Sequence, residues 1–336
     1  MISRRSCLCV LGGSICATAE RGLAEEWRAI AKSTDGTVGA AALHLGSGKL
    51  VSMNGDEHFP LASVCKLPIA MYLFAGIDEG KMMLGQLIEV EARDVWAGVS
   101  DIEKRWPAER RFSLGELIEL MVARSDNTAE ETLFRLGGGA PAIGARLRGW
   151  KVEGIRIDRS ERQCGLDRNG VPQPPPPEQW TDALINDLIA KTPPAVRYRA
   201  NLRYLADPRD TGTPNATVQL LARAFRGEIL SHSSTERLIA ILKATTSFPT
   251  RLKGLLPAGT VVAHKTGSSG TLGGLAAATN DSGVIFLPDG GQLAVSVYIK
   301  ASTRGDAARD RVIAHLSKAA YDAWTKKGMM ESAPQR

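Results

Sequence analysis

The sequence lacks any dense stripe of lysine and arginine. Its formal net charge is only +6 over 336 residues, which leaves no electrostatic footprint for nucleic acid. It also lacks an apolar run long enough to span a bilayer. The N-terminal stretch from Cys7 to Ile15 is too short, so no stable membrane anchor is expected. Metal-ligand spacing is missing too: His44, His58, His232, His264 and His315 are scattered, and no metal or cofactor is implied. No nucleotide-binding glycine loop occurs. Gly137-Gly138-Gly139 follows a helical pattern, where glycine acts as a terminator. Cysteine is scarce. Of five, Cys7, Cys9 and Cys16 precede residue 20, which leaves Cys65 and Cys164. Those two pair in an oxidising compartment only if the fold brings them within reach; Cys65 reads more simply as a core thiol.

What is present is ordinary globular composition, 43% hydrophobic and 23% charged with aromatics at 5%. The length suits one large domain or two lobes sharing a core. The N-terminus reads as an export signal. Arg4 and Arg5 precede the apolar stretch, and Ala17-Thr18-Ala19 offers a small-x-small cleavage site. Ser3-Arg4-Arg5-Ser6-Cys7-Leu8 resembles a twin-arginine signal. Removing residues 1–19 deletes two arginines and no acid, taking +6 to +4. A periplasmic monomer is expected.

Patterning along the chain places strands at both ends and helices between. Residues 20–32 have helical spacing, then strand-like runs cover 37–43 and 49–53. Helices are expected over 61–74, 113–122, 125–136, 217–225 and 234–243, the second opening with the capping-box pattern Ser113-x-x-Glu116. Strands return at 261–265, 273–278, 284–287 and 293–299, and an amphipathic helix over 307–324 closes the pattern. The economical solution is an α+β fold: an antiparallel sheet from both termini, flanked by terminal helices, with an inserted all-helical lobe. That assigns 20–60 and 252–328 to an α/β lobe and 61–251 to the helical lobe, with the cleft between them as the default site. Residues 166–208, with Pro174-Pro175-Pro176-Pro177 and Pro193-Pro194, read as an extended surface insertion carrying one short helix near 180–190.

Three short motifs carry chemistry. Ser63-Val64-Cys65-Lys66 opens an apolar helix whose Pro68 fits only near the first turn. Ser63 then lies by unpaired N–H groups that favour developing negative charge, and Lys66 lies one turn along the same face. A partly desolvated lysine accepts a proton. Ser125-Asp126-Asn127 joins two helical segments. Its residues suit an N-cap, and equally a hydroxyl and an amide turned into a cleft. Lys265-Thr266-Gly267-Ser268 ends a strand. Lys265 and the hydroxyls of Thr266 and Ser268 suit a carboxylate, Gly267 admits a close approach, and the Ser268 N–H completes an oxyanion hole with that of Ser63. Each motif alone is near chance. The ordered set, each member occurring once, is not.

Together these motifs resemble the penicillin-recognising serine enzymes, specifically class A β-lactamases. The resemblance extends to the segments 207–214 and 255–260. It implies a β-lactamase/transpeptidase-like fold and a β-lactam substrate opened through an acyl-enzyme on Ser63. It further implies that Asp158-Arg159-Ser160-Glu161 begins an omega-like loop over 158–165, with Glu161 as the base that activates the deacylating water. Arg159 and a carboxylate would hold that loop closed. Arg251 fits a family position supporting the substrate carboxylate; a plain surface arginine is the alternative. Ser125 would pass a proton to the ring nitrogen, and Asn127 would hold a substrate amide.

The sequence departs from the family around Glu161. Arg162 stands where many relatives have proline, Gly165 where many have asparagine, and the loop runs into the proline-rich insertion. Acylation is expected to be intact, with turnover resting on Glu161. The insertion is expected to flank the cleft mouth and restrict bulky substrates. Competing readings are a D-alanyl-D-alanine peptidase or penicillin-binding protein, which does not need Glu161, and a non-hydrolytic β-lactam sensor.

Overall fold

The computed structural model describes residues 21–98 and 100–331; residues 1–19, expected to be an export signal, lie outside them. Five antiparallel strands form the sheet: β1 (Thr37–His44), β2 (Leu50–Met53), β3 (Val262–Ser268), β4 (Thr279–Phe286) and β5 (Gln292–Lys300). Their order is β2-β1-β5-β4-β3, so β3 is a free edge. Alternation sorts the faces. Val38, Ala40, Ala42, Val295 and Val297 pack with Leu23, Trp27, Val312 and Leu316 of the terminal helices. Ala41, Leu43, Ala294 and Tyr298 face the larger core of the helical lobe. The Trp27 indole N–H donates to Leu316 O at 3.0 Å, tying the two terminal helices together.

The helices are α1 (21–31), α2 (Lys66–Asp78), α3 (Leu114–Ala123), α4 (Asn127–Leu136), α5 (Gly139–Gly149), α6 (Glu161–Asn169), α7 (Asp182–Lys191), α8 (Pro194–Leu205), α9 (Pro214–Phe225), α10 (His232–Lys243) and α11 (Asp306–Glu331). The α+β architecture expected from the patterning is therefore the one observed. Ser113 caps α3, accepting from Glu116 N at 3.2 Å. The capping box is not closed there, because the Glu116 carboxylate pairs with Arg105 at 2.7 Å.

Three local expectations are corrected. No strand spans 273–278. Thr271–Leu272 and Leu275–Ala276 form a tiny ribbon, and the real strand, β4, begins at Thr279. Asn280-Asp281-Ser282-Gly283 reads as a turn yet runs through the sheet, because each polar side chain finds a partner. Asn280 donates to Pro60 O and Leu61 O, Asp281 accepts from Leu252 N and meets His264, and Ser282 pairs with Ser296. The second correction is the omega-like loop: Glu161 already belongs to α6, started by a complete Ser160–Gln163 capping box. Third, the insertion is mostly helical. α8 begins where two prolines suggested extended chain, since proline is well placed in a first turn. Gly170 ends α6 at φ 67°, and a Cβ there would lie 2.8 Å from Ala200 Cβ, so α6 and α8 touch closely.

Candidate active site

The Ser63 turn, Ala62–Cys65, is a 3-10 turn leading into α2. It is pinned to the sheet by the two Asn280 bonds to Pro60 O and Leu61 O. Ala62 holds φ at 46°, a left-handed value that a residue with a side chain adopts at a cost, here directly before Ser63. Gly267 explains how β3 reaches this turn. A Cβ on it would sit 2.8 Å from Leu61 O and 3.2 Å from Ser63 N. Ser269 N donates to Ala278 O across the ribbon. Antiparallel alternation therefore turns the Ser268 N–H the other way, off the free edge.

The Ser125-Asp126-Asn127 segment divides its labour. Asp126, not Ser125, caps α4. Its carboxylate accepts from Ala129 N at 2.9 Å, Asp101 N at 2.6 Å, Ile102 N at 3.2 Å and the Ser100 hydroxyl at 3.0 Å. That leaves Ser125, at φ 57°, and Asn127 facing the lysines. The buried Lys66 ammonium donates to Ser125 O at 2.9 Å and to Asn127 Oδ1 at 2.5 Å. Among the described residues the Ser63 hydroxyl is not one of its partners. The buried Lys265 ammonium donates to Ser125 Oγ and to Thr266 O, both at 2.9 Å. Burial, with the Lys66 charge adding, pulls Lys265 down to about 7. All three motifs thus meet through two lysines.

Arg251 is placed behind β3. It is buried, and its donors are taken by Asp310 at 2.7 Å, Gly267 O at 3.0 Å, Asn280 O at 2.9 Å and Ser268 Oγ at 2.7 Å. It braces the strand instead of lying on the surface. Thr266 Oγ1 lies 2.7 Å from Ser247 Oγ, a half-exposed hydroxyl that no pattern in the sequence marks.

Glu161 opens α6 and lines a cavity of about 230 Å³ with Asn127, Ser268 and Trp96. Arg159 closes the base of this segment, bonding Asp210 at 2.5 Å and Asp167 at 2.6 Å. Two residues that the sequence reading passed over, Glu130 and Glu131, dock the helix start. They take the backbone N–H groups of Glu161 at 3.4 Å and Arg162 at 2.6 Å. These are N–H groups without intrahelical partners. Their signal was spacing: three and four residues after Asn127, they share its helix face. Proline at 162 would have no such N–H to give. Burial, with the neighbouring Glu131, drives the Glu130 carboxyl well above its usual range, and burial raises Glu131 to about 7. The Arg162 side chain is buried, donates to Val95 O at 2.7 Å and lies over the Trp96 ring at 4.8 Å. Gly165 leaves open space, since a Cβ would meet only Trp96 at 3.8 Å. Cys65 and Cys164 line the same cavity as free thiols. Burial pushes both up, Cys164 to about 12.

Comparison with known proteins agrees with this arrangement. The model of the β-lactamase enzyme family matches residues 22–324. The extended-spectrum β-lactamase PER-1 of Pseudomonas aeruginosa is 31% identical over 309 residues, covering 91% of this chain and 88% of that protein. The crystal structure of a β-lactamase from Chitinophaga pinensis superposes with a TM-score of 0.76 at 32% identity, covering 90% and 99% of the two chains. An ancestral class A β-lactamase gives 0.72 at 30% identity, covering 90% and 99%. With the catalytic motifs gathered in one cleft and the match running through both lobes, this chain belongs to the β-lactamase enzyme family, in its class A branch.

Proposed function

We propose that this chain hydrolyses the β-lactam ring through an ester on Ser63. Ser63 Oγ attacks the lactam carbonyl, and its proton has two acceptors within the cleft: Lys66 and, through a water, Glu161. The N–H groups of Ser63 and Ser268 receive the oxyanion. Lys265 donates to Ser125 Oγ, which leaves the Ser125 hydroxyl hydrogen free for the ring nitrogen as the C–N bond breaks, and the proton taken from Ser63 passes on to Ser125 Oγ. Lys265, Thr266 and Ser268 hold the substrate carboxylate, with Ser247 adding a hydroxyl, and Asn127 holds the side-chain amide. Arg251 acts as a positioning residue, through Ser268. Glu161 then takes a proton from the water that attacks the ester and passes it to Ser63 Oγ as the ester C–O bond breaks, which regenerates Ser63.

The observation that carries this reading is the convergence of Lys66 and Lys265 on Ser125 and Asn127 beside Ser63. We further assign residues 1–19 as the export signal of a periplasmic monomer. Among the described residues, no helix is long and apolar enough to cross a membrane. The test is hydrolysis of a chromogenic cephalosporin by the purified mature protein and by Ser63→Ala. Turnover by the first and none by the second is expected. Stoichiometric labelling of Ser63 without turnover would overturn the hydrolase and favour a penicillin-binding protein.

A further inference from the structure

α6 shows one face to the cleft. Glu161, Gly165 and Arg168 all line the cavity there, at positions that fall on one side of a helix. Seven residues separate Glu161 from Arg168, a rise of about 10 Å along the axis. Trp96, and Ile185 and Ile189 of α7, line the same cavity together with the polar Asn169, Asp182 and Asn186. Gly165 adds no side chain to fill it.

Arg168 lines this cavity from the C-terminal part of α6. Its guanidinium reaches across the cleft and donates to Ser269 O, just past the end of β3. Five N–H donors belong to a guanidinium, so most remain available. Among the described residues Arg168 forms no ion pair, whereas other charges at the cavity are matched. Arg159 is paired with Asp210 at 2.5 Å. Asp182 lies 3.9 Å from Arg162. Among the described residues that line the cavity, Glu161 likewise forms no ion pair. The cavity therefore holds one unpaired carboxylate, Glu161, and one uncompensated cation, Arg168.

We infer that Arg168 selects substrates whose acylamino side chain ends in an anion. The acylamino side chain of an ester on Ser63 enters the cavity that Trp96, Ile185 and Ile189 help to line. Its terminal carboxylate then meets Arg168. The inference rests on the acyl-enzyme reading above. It also gives α7 of the insertion a task, as a wall of the cavity.

The test uses two cephalosporins identical except that the acylamino side chain ends in a carboxylate or in its methyl ester. The readouts are the rate of Ser63 acylation, followed by intact mass, and kcat/KM. The wild-type protein is expected to favour the acid by roughly tenfold or more, as for one well-placed charge-assisted contact. Arg168→Gln should bring the acid-to-ester ratio to about 1, and Arg168→Glu should invert it. A second measurement needs no variant: the wild-type preference should shrink as ionic strength rises. Equal rates for acid and ester in the wild type, or a ratio unmoved by Arg168→Gln, would overturn the inference and leave Arg168 as a strap to β3. Failure of both compounds to acylate Ser63 would instead overturn the acyl-enzyme reading, and this inference with it.

Discussion

The acylating side of the cleft and its α6 side treat buried charge differently. On the acylating side, Lys66 and Lys265 are buried amines that each find two oxygen acceptors. On the α6 side, Glu130 and Glu131 are buried acids whose task is to hold backbone N–H groups, and Glu130 Oε1 has no partner. A buried polar group costs free energy unless its bonds are made. The acylating half is thus satisfied and braced by β3, while the deacylating half stands on contacts that depend on protonation. The two steps of the proposed reaction should therefore respond differently to mutation and to pH.

The largest expected effect comes from breaking the acylating side. Lys66→Met removes both of its bonds and leaves Asn127 Oδ1 without its partner. Single-turnover acylation should slow by roughly 100- to 10,000-fold, and an unchanged acylation rate would contradict the assignment. Gly267→Ala comes next. Its Cβ would press on Leu61 O at 2.8 Å, backbone that cannot swing aside. A loss of about 1–3 kcal/mol in stability is expected, measured by denaturant melts. Acylation should slow with it, because the Ser63 turn is displaced.

A smaller and sharper test uses pH. Lys265 titrates near 7 because it is buried. Below that pH its ammonium holds the substrate carboxylate, and above it the charge is lost. The free enzyme's kcat/KM should fall as pH rises through about 7. Lys265→Arg, which keeps its charge, should extend the plateau upward; an identical falling limb would place the titration elsewhere.

The smallest effect is on stability. Glu131 has its folded value raised from 4.5 to about 7. The folded state then binds more protons than the unfolded state across that window, so this contribution is full below about 4.5 and lost as pH rises to about 7. Glu130 acts in the same direction. Glu131→Gln keeps an acceptor for Arg162 N but removes the titration. Its melting temperature should fall less steeply than the wild type's across that window, and equal slopes would remove Glu131 from the account.

The same contrast decides what could be read from the sequence. The acylation motifs were legible because each is short and local, and because the helix, turn and strand that carry them follow from periodicity. The start of β4 was not. Asn280 to Gly283 has turn composition, and only the distant acceptors Pro60 O and Leu61 O make Asn280 a strand residue. The start of α6 was half legible. Ser160 and Gln163 form a capping box that the sequence displays, but the glutamates that dock its first turn come from α4, some thirty residues earlier. Proline pairs suggest extended chain across the insertion, but α8 takes one such proline as its first-turn residue. The bracing role of Arg251 depends on Asp310 of α11, a contact no local pattern encodes.

Glu161 joins the two halves, and one measurement addresses it directly. Glu161→Gln, mixed with a penicillin and followed by intact mass over time, should gain one acyl group on Ser63 and keep it, while the wild type returns to its unmodified mass. An adduct that clears from the variant as fast as from the wild type would contradict the role of Glu161 in releasing the acyl group.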